Sequence, residues 1–215
     1  MYKAVIFDLD GTLFDTLPDI QAVLNSTLEK FNLPMLDREQ VMRYIGGGAR
    51  ELIRLAIGEE NGYRLDEILA CYRKEYEKND GSLSKFFDGE EAVLSELKEK
   101  NVKLAVFTNK PHAVALSTNE RYFKSYSLDY ILGQTDNLPL KPSPEGVQKI
   151  LKILGVKARD CLFVGDGETD VLTAKNADLD CVAVLWGYRN KEQLKSVGAT
   201  RFASTFEELK NIILG

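Results

Sequence analysis

The run Ala4-Val5-Ile6-Phe7-Asp8-Leu9-Asp10-Gly11-Thr12-Leu13 decides how the rest of the chain folds. Ala4 to Phe7 is apolar without alternation, as expected of a strand covered on both faces in a parallel sheet. It ends in two carboxylates one residue apart, followed by a glycine and a threonine. On an extended backbone the side chains of Asp8 and Asp10 point the same way, because the side-chain period is two. Two like charges held that close are costly without a positive charge between them. A divalent cation is the usual remedy, and hard oxygen ligands suit magnesium. The plainer alternative is a strand followed by an Asp-Gly turn with solvated acids. The remainder of the chain decides between the two.

The chain has 215 residues, enough for a core domain and a smaller second one. Its formal charge is -5 and it has no basic block, which argues against nucleic acid as a partner. No apolar span is long enough for a membrane, and no charged leader precedes the first strand. Cys71, Cys161 and Cys181 have no metal-type spacing. Cys161 and Cys181 each open an apolar run, so buried reduced thiols are expected. Together these features predict a soluble cytoplasmic protein and leave monomer and homodimer both open.

Thr16-Leu17-Pro18-Asp19 has the form of a capping box. Ile20, Val23, Leu24, Thr27, Leu28 and Phe31 then recur at helical spacing. Further helices are expected over 37–45, over 49–57, and along the stripe Leu65, Ile68, Leu69, Tyr72 and Tyr76. Residues 16–82 therefore read as an all-helical block inserted after the first strand. Beyond it, strands are expected at 102–107, 128–132, 161–164, 181–185 and 201–203. The helices between them include one capped by Asp88, one from about 111 to 122, and one opened by Ser143-Pro144. Alternation of this kind predicts an α/β fold with a parallel sheet and right-handed crossovers. Ligands of such sheets bind beyond the carboxyl ends of the strands. Polar residues stand at three of those ends: Asp8 and Asp10, Thr108 and Asn109, and Asp166 with Asp170.

Four segments carry a resemblance. They are Asp8-Leu9-Asp10-Gly11-Thr12, Thr108 at the end of the second strand, Lys141 in Lys141-Pro142-Ser143-Pro144, and Gly165-Asp166 with Asp170. In this order, and over nearly the whole length, the chain resembles the phosphatase branch of the haloacid-dehalogenase superfamily. The resemblance implies a Rossmann-like core, here 1–15 and 83–215, with helices on both faces of the sheet. Residues 16–82 would form a four-helix cap. It implies a magnesium-dependent phosphatase for a small phosphorylated metabolite, phosphoglycolate-like, with Asp8 as the nucleophile that forms an aspartyl-phosphate. Asp10 would be the general acid and later the base, and would offer its backbone carbonyl to the metal beside Asp8 and Asp166. Thr108, Asn109 and Lys141 would hold the phosphoryl group, and Asp170 would orient Lys141 or a metal-bound water. One position departs from the phosphoglycolate phosphatase pattern: Gly167 stands where serine is frequent, keeping the backbone N–H and losing a hydroxyl.

The cap is expected to choose the substrate. Gly46-Gly47-Gly48 followed by Ala49-Arg50 makes Arg50 the candidate for gripping an anion on the leaving group, with Arg43 behind it. His112, the only histidine, and Trp186 read as packing residues. Other readings share the scaffold. A dehalogenase lacks the second acid that Asp10 supplies. A phosphonate-cleaving relative uses a cap lysine, and Lys30, Lys74 and Lys78 all stand in polar helix contexts. A β-phosphoglucomutase-like mutase needs a cap histidine, which is missing. A pyrophosphatase or nucleotide phosphatase stays open. Outside enzymes, a regulatory binding protein that keeps the fold would require loss of Asp8, Asp10, Lys141 or Asp166, and all four stand. A phospho-receiver would also use a strand-end aspartate, and the cap and Asp10 weigh against it.

Overall fold

The computed structural model describes residues 1–126 and 128–215. In chain order, β1 (Ala4–Phe7) and β2 (Phe14–Asp15) bracket the acidic run. The helices α1 (Leu17–Lys30), α2 (Arg38–Tyr44), α3 (Ala49–Ile57) and α4 (Leu65–Lys78) follow. Then come β3 (Lys85–Phe86), α5 (Glu90–Glu99), β4 (Lys103–Pro111), α6 (His112–Thr118), β5 (Tyr130–Gln134) and α7 (Glu145–Leu154). The chain ends through β6 (Cys161–Gly165), α8 (Glu168–Asn176), β7 (Asp180–Val184), α9 (Lys191–Ser196), β8 (Phe202–Ala203) and α10 (Phe206–Leu214).

Six strands form one parallel sheet in the order β5-β4-β1-β6-β7-β8. This is the expected α/β architecture. β1 lies centrally, and Phe7 is level with Val106 on one side and Val164 on the other. The chain next to β1 therefore runs outward in both directions, which opens a crevice at the carboxyl ends of the strands. Strand geometry assigns the faces: Val5 and Phe7 pack with Leu97, Leu209 and Ile213, whereas Ala4 and Ile6 pack with Val147, Ile150 and Ala174. Both faces are covered by helices, which explains why β1 shows no polar alternation.

The four helices between β2 and β3 bury a cluster of their own, around Leu24, Leu28, Val41, Ile53 and Ile68. The chain leaves and rejoins the sheet domain through a two-stranded antiparallel ribbon, Phe14 opposite Phe86 and Asp15 opposite Lys85. Two residues per strand show no periodicity, so the sequence did not announce it. Phe14 anchors the ribbon, its ring centroid 4.9 Å from that of Phe86 and 4.7 Å from that of Tyr122.

Local expectations fail in several places. Asp88 does not cap α5; Gly89 takes the cap position with φ of 82°, a left-handed conformation that glycine adopts without strain. The third sheet strand begins at Tyr130, two residues late, because Asp129 is instead tied to β4, its carboxylate accepting from the Leu104 N–H. The helix expected to reach 122 ends at Thr118 and continues as a wider turn over Asn119–Phe123. Cys161 is buried, but Cys181 is half-buried because it lies near the amino end of β7. Among the described residues no helix is long and apolar enough to cross a membrane.

Candidate active site

The backbone N–H of Asp8 donates to Val164 O at 2.8 Å, so the residue after β1 stays pinned beside β6. Gly11 turns the chain back with φ of 87°. A Cβ there would lie 2.5 Å from Asp166 Oδ2 and 2.8 Å from the Tyr188 ring, so this position has no space for a side chain. The turn brings Thr12 Oγ1 to donate to Asp166 Oδ1 at 2.9 Å, while the Tyr188 N–H donates to Asp166 Oδ2 at 2.7 Å. Both oxygens of Asp166 are thereby oriented from two loops far apart in sequence.

Lys141 sits between two acids, its Nζ 2.7 Å from Asp8 Oδ1 and 2.6 Å from Asp170 Oδ1. Asp170 accepts a second hydrogen bond from the Gly167 N–H at 2.9 Å. The N–H retained at Gly167 thus holds this aspartate. Burial works against the Lys141 charge, yet Asp170 and Asp8 hold its pKa above the ordinary lysine value. Asp8 is raised well above the carboxylate range, first by burial and then by Asp170, Asp166 and Asp10, with Lys141 opposing. Asp166 is pushed up to about 7 by burial and by Asp170.

Oxygens of Asp8, Asp166 and Asp170 all lie within 4.8 Å of one another, all buried. One lysine does not balance three buried carboxylates, and among the described residues the only positive group facing Asp8 Oδ1 is the Lys141 ammonium that Asp170 shares. A hard divalent cation fits this donor set.

Asp10 occupies a separate polar nest. Lys110 Nζ donates to its Oδ1 at 2.7 Å, and Thr16 Oγ1 donates to the same oxygen at 2.6 Å. The capping box expected at Thr16 is therefore not made: this hydroxyl caps no helix N–H, since the carboxylate is the stronger acceptor. Lys110 also donates to the Tyr76 hydroxyl at 2.8 Å, which links α4 to β4. Burial opposes the Lys110 charge, but Asp10 and Tyr76 hold its pKa above the ordinary value. Sequence reasoning passed over Lys110. A signal existed, since residues 108 and 110 share a face if the strand runs on past Phe107, and β4 does continue to Pro111.

These groups line a cavity of about 110 Å³ between the strand ends and the helical insert. Asp8, Asp10, Thr108, Asn109 and Lys141 are all in its wall. The amide of Asn109 is already engaged, donating to Gly46 O at 2.9 Å and to Lys141 O at 3.2 Å, and accepting from the Lys141 N–H at 2.8 Å. Its side chain therefore braces two loops instead of presenting a free amide to a phosphate. Arg50 is not brought to the site. Ala49, Leu52, Ile53 and Ile57 form the buried face of α3, which turns Arg50 outward to Asp66 at 2.7 Å, with both side chains exposed. Arg43 is exposed as well and lies outside the cavity wall. His112 accepts from the Gly133 N–H at 3.1 Å, and Trp186 stacks on Phe206 with centroids 4.5 Å apart, so both pack as expected.

Comparison with known proteins agrees with this geometry. Residues 5–184 match the model of the haloacid dehalogenase-like hydrolase family. The chain is 35% identical over 219 residues to phosphoglycolate phosphatase 1 of Pseudomonas aeruginosa, covering 96% of this chain and 78% of that protein. It is 34% identical over 217 residues to a phosphoglycolate phosphatase of Rhodospirillum rubrum, covering 97% and 90%. Among solved structures, a predicted phosphatase from Clostridium acetobutylicum superposes with a TM-score of 0.86 at 28% identity, covering 100% of this chain and 99% of that one. With Asp8 and Asp166 at the ends of β1 and β6, Lys141 between Asp8 and Asp170, and a family match across most of its length, the chain belongs to the haloacid dehalogenase-like hydrolases.

Proposed function

We propose that this protein is a magnesium-dependent phosphatase for a small phosphate monoester of the phosphoglycolate type, acting through an aspartyl-phosphate on Asp8. The observation that carries this reading is Lys141 held between Asp8 and Asp170 in a buried pocket with Asp166. The names of the curated relatives support the choice of ester. Asp8 attacks phosphorus and Lys141 offsets the charge of the transferring group. Asp8 and Asp166, with the Asp10 carbonyl, would hold the cation, which when bound supplies charge neutralisation and polarises a phosphoryl oxygen. Asp10 protonates the leaving alcohol and then takes a proton from water. Its Oδ1 is taken by Lys110 and Thr16, so Oδ2 is the edge available for that proton. Thr108 lines the phosphoryl end, and Asp170 keeps Lys141 aimed. Residues 16–82 act as the cap over the core of 1–15 and 83–215. The cavity wall contributed by the insert holds no lysine and no histidine among the described residues, which disfavours phosphonate cleavage and mutase chemistry.

The test is hydrolysis of p-nitrophenyl phosphate and of 2-phosphoglycolate. Activity is expected with magnesium, to vanish with EDTA, and to fall by roughly 10³-fold or more in Asp8→Asn. An active Asp8→Asn protein or metal-independent turnover would overturn the assignment.

A further inference from the structure

With Arg50 turned away, the cavity still has a cation on its insert side. Arg73 of α4 lies in the cavity wall. Most other insert residues there are apolar, including Ile20, Ile45, Ala49 and Leu52. Among the described residues, no carboxylate lies within 4.0 Å of the Arg73 guanidinium, and the side chain makes no hydrogen bond. Arg50, Arg54, Arg64 and Arg189, by contrast, each pair with an acid.

The placement of Arg73 follows from helix geometry. It stands three residues before Tyr76, about 4.5 Å along the axis and on a neighbouring row of the same face. The Tyr76 hydroxyl touches Lys110, which touches Asp10, the proposed proton donor to the leaving group. Arg73 therefore stands beside the leaving-group end of the cavity, while Lys141 serves the phosphoryl end. Glu77 is the one acid the insert adds to this wall, but it also lines a neighbouring cavity around Asp19 and Arg121. Arg73 lines the active cavity and is not in the wall of that neighbouring one.

We propose that Arg73 is the specificity-determining residue of this site, pairing its guanidinium with a carboxylate carried by the leaving alcohol. The proposal rests on the phosphatase reading above. Among the described residues Arg73 is the one cation in a largely apolar insert wall, and a guanidinium fork matches a carboxylate in two parallel hydrogen bonds.

The experiment compares 2-phosphoglycolate with ethyl phosphate, which replaces the carboxylate by a methyl group, and with phosphoethanolamine, which replaces it by a cationic arm. The full-length wild type, Arg73→Leu and Arg73→Lys are assayed with magnesium. The expected result is a fall of about 10- to 100-fold in the ratio of kcat/KM for 2-phosphoglycolate to that for ethyl phosphate in Arg73→Leu. A rise in KM for 2-phosphoglycolate should account for most of it, and Arg73→Lys should recover part of the loss. Arg73 is exposed, so these variants should keep the wild-type melting temperature. An unchanged ratio, or equal loss on both esters, overturns the proposal, as does a wild-type preference for phosphoethanolamine. A wild type that hydrolyses p-nitrophenyl phosphate but none of the three esters overturns it too, with the phosphatase reading intact. A wild type inactive on every ester removes the phosphatase reading itself.

Discussion

Lys110 was visible in the sequence as an ordinary lysine, and its surroundings make it part of the site. It is buried, ion-paired to Asp10 at 2.7 Å and hydrogen-bonded to Tyr76. Removing it leaves Asp10 with Thr16 as its sole hydrogen-bond donor. Lys110→Met, which keeps most of the stem volume, is expected to lower kcat on p-nitrophenyl phosphate by about 10- to 100-fold. Its dependence on magnesium concentration should match wild type, because Lys110 does not touch Asp8 or Asp166. A magnesium titration of initial rates checks both points. Thr16 teaches a related lesson. Hydroxyl, proline and acid in that spacing form a sound capping signal, but the Asp10 carboxylate lies within reach and accepts the hydroxyl's hydrogen bond instead.

Helix α7 illustrates how one element positions Lys141. It follows the loop that carries Lys141, and it docks against β4 through Gly146. A Cβ on Gly146 would come within 2.2 Å of the Phe107 ring. The Lys141 ammonium lies 5.9 Å from the centroid of that same ring. Gly146→Ala must push α7 away from the sheet or displace Phe107. Loss of about 1–3 kcal/mol of stability is expected, read as a lower midpoint in urea denaturation. The sequence marked a helix there through Val147, Ile150, Leu151 and Leu154, and that stripe does face the sheet, with Leu151 half-buried at its margin. It did not mark the close approach at Gly146, because a glycine in the first turn of a helix reads the same whether or not a ring lies beneath it.

The two halves of the molecule are joined by more than the β2–β3 ribbon. Arg189, just after β7, donates to Met42 O and Ile45 O of the insert, each at 2.6 Å, and pairs with Glu168 at the start of α8 at 2.8 Å. Asn109 donates to Gly46 O from the other side of the crevice. The glycine loop is thus held over the cavity from both flanks.

A further strain on the whole fold comes from Glu90, wholly buried at the start of α5 with neither carboxylate oxygen partnered. Burial, with Glu91 nearby, pushes it from the usual 4.5 up to about 8. The native state keeps this proton up to about pH 8, whereas the unfolded chain releases it near 4.5, so the unfolded state binds fewer protons between these values. Its contribution to stability is therefore full below pH 4.5 and is lost as pH rises towards 8. Glu90→Gln should remove that slope and be more stable than wild type at pH 8.5 by about 1–3 kcal/mol. Urea midpoints of both proteins at pH 5.5 and 8.5 measure it. Equal pH slopes would show that Glu90 does not titrate in this range.

The amino-acid order by itself determined the parallel α/β sheet, the helical insert between the first two sheet strands, and the acids and lysine that gather at the strand ends. These follow from local rules: apolar runs without alternation, helical stripes, and polar residues placed where strands stop. The tertiary structure alone decided which side chains meet. Residues 100 or more positions apart, such as Asp10 with Lys110, or Thr12 with Asp166, become neighbours through strand order and register. It also decided which residues do not meet, turning Arg50 to solvent and leaving Arg73 in the cavity wall. The physical reason is that a helix presents one face to its own core, and that face is chosen by burying Leu52 and Ile53, whatever charge stands between them and the solvent.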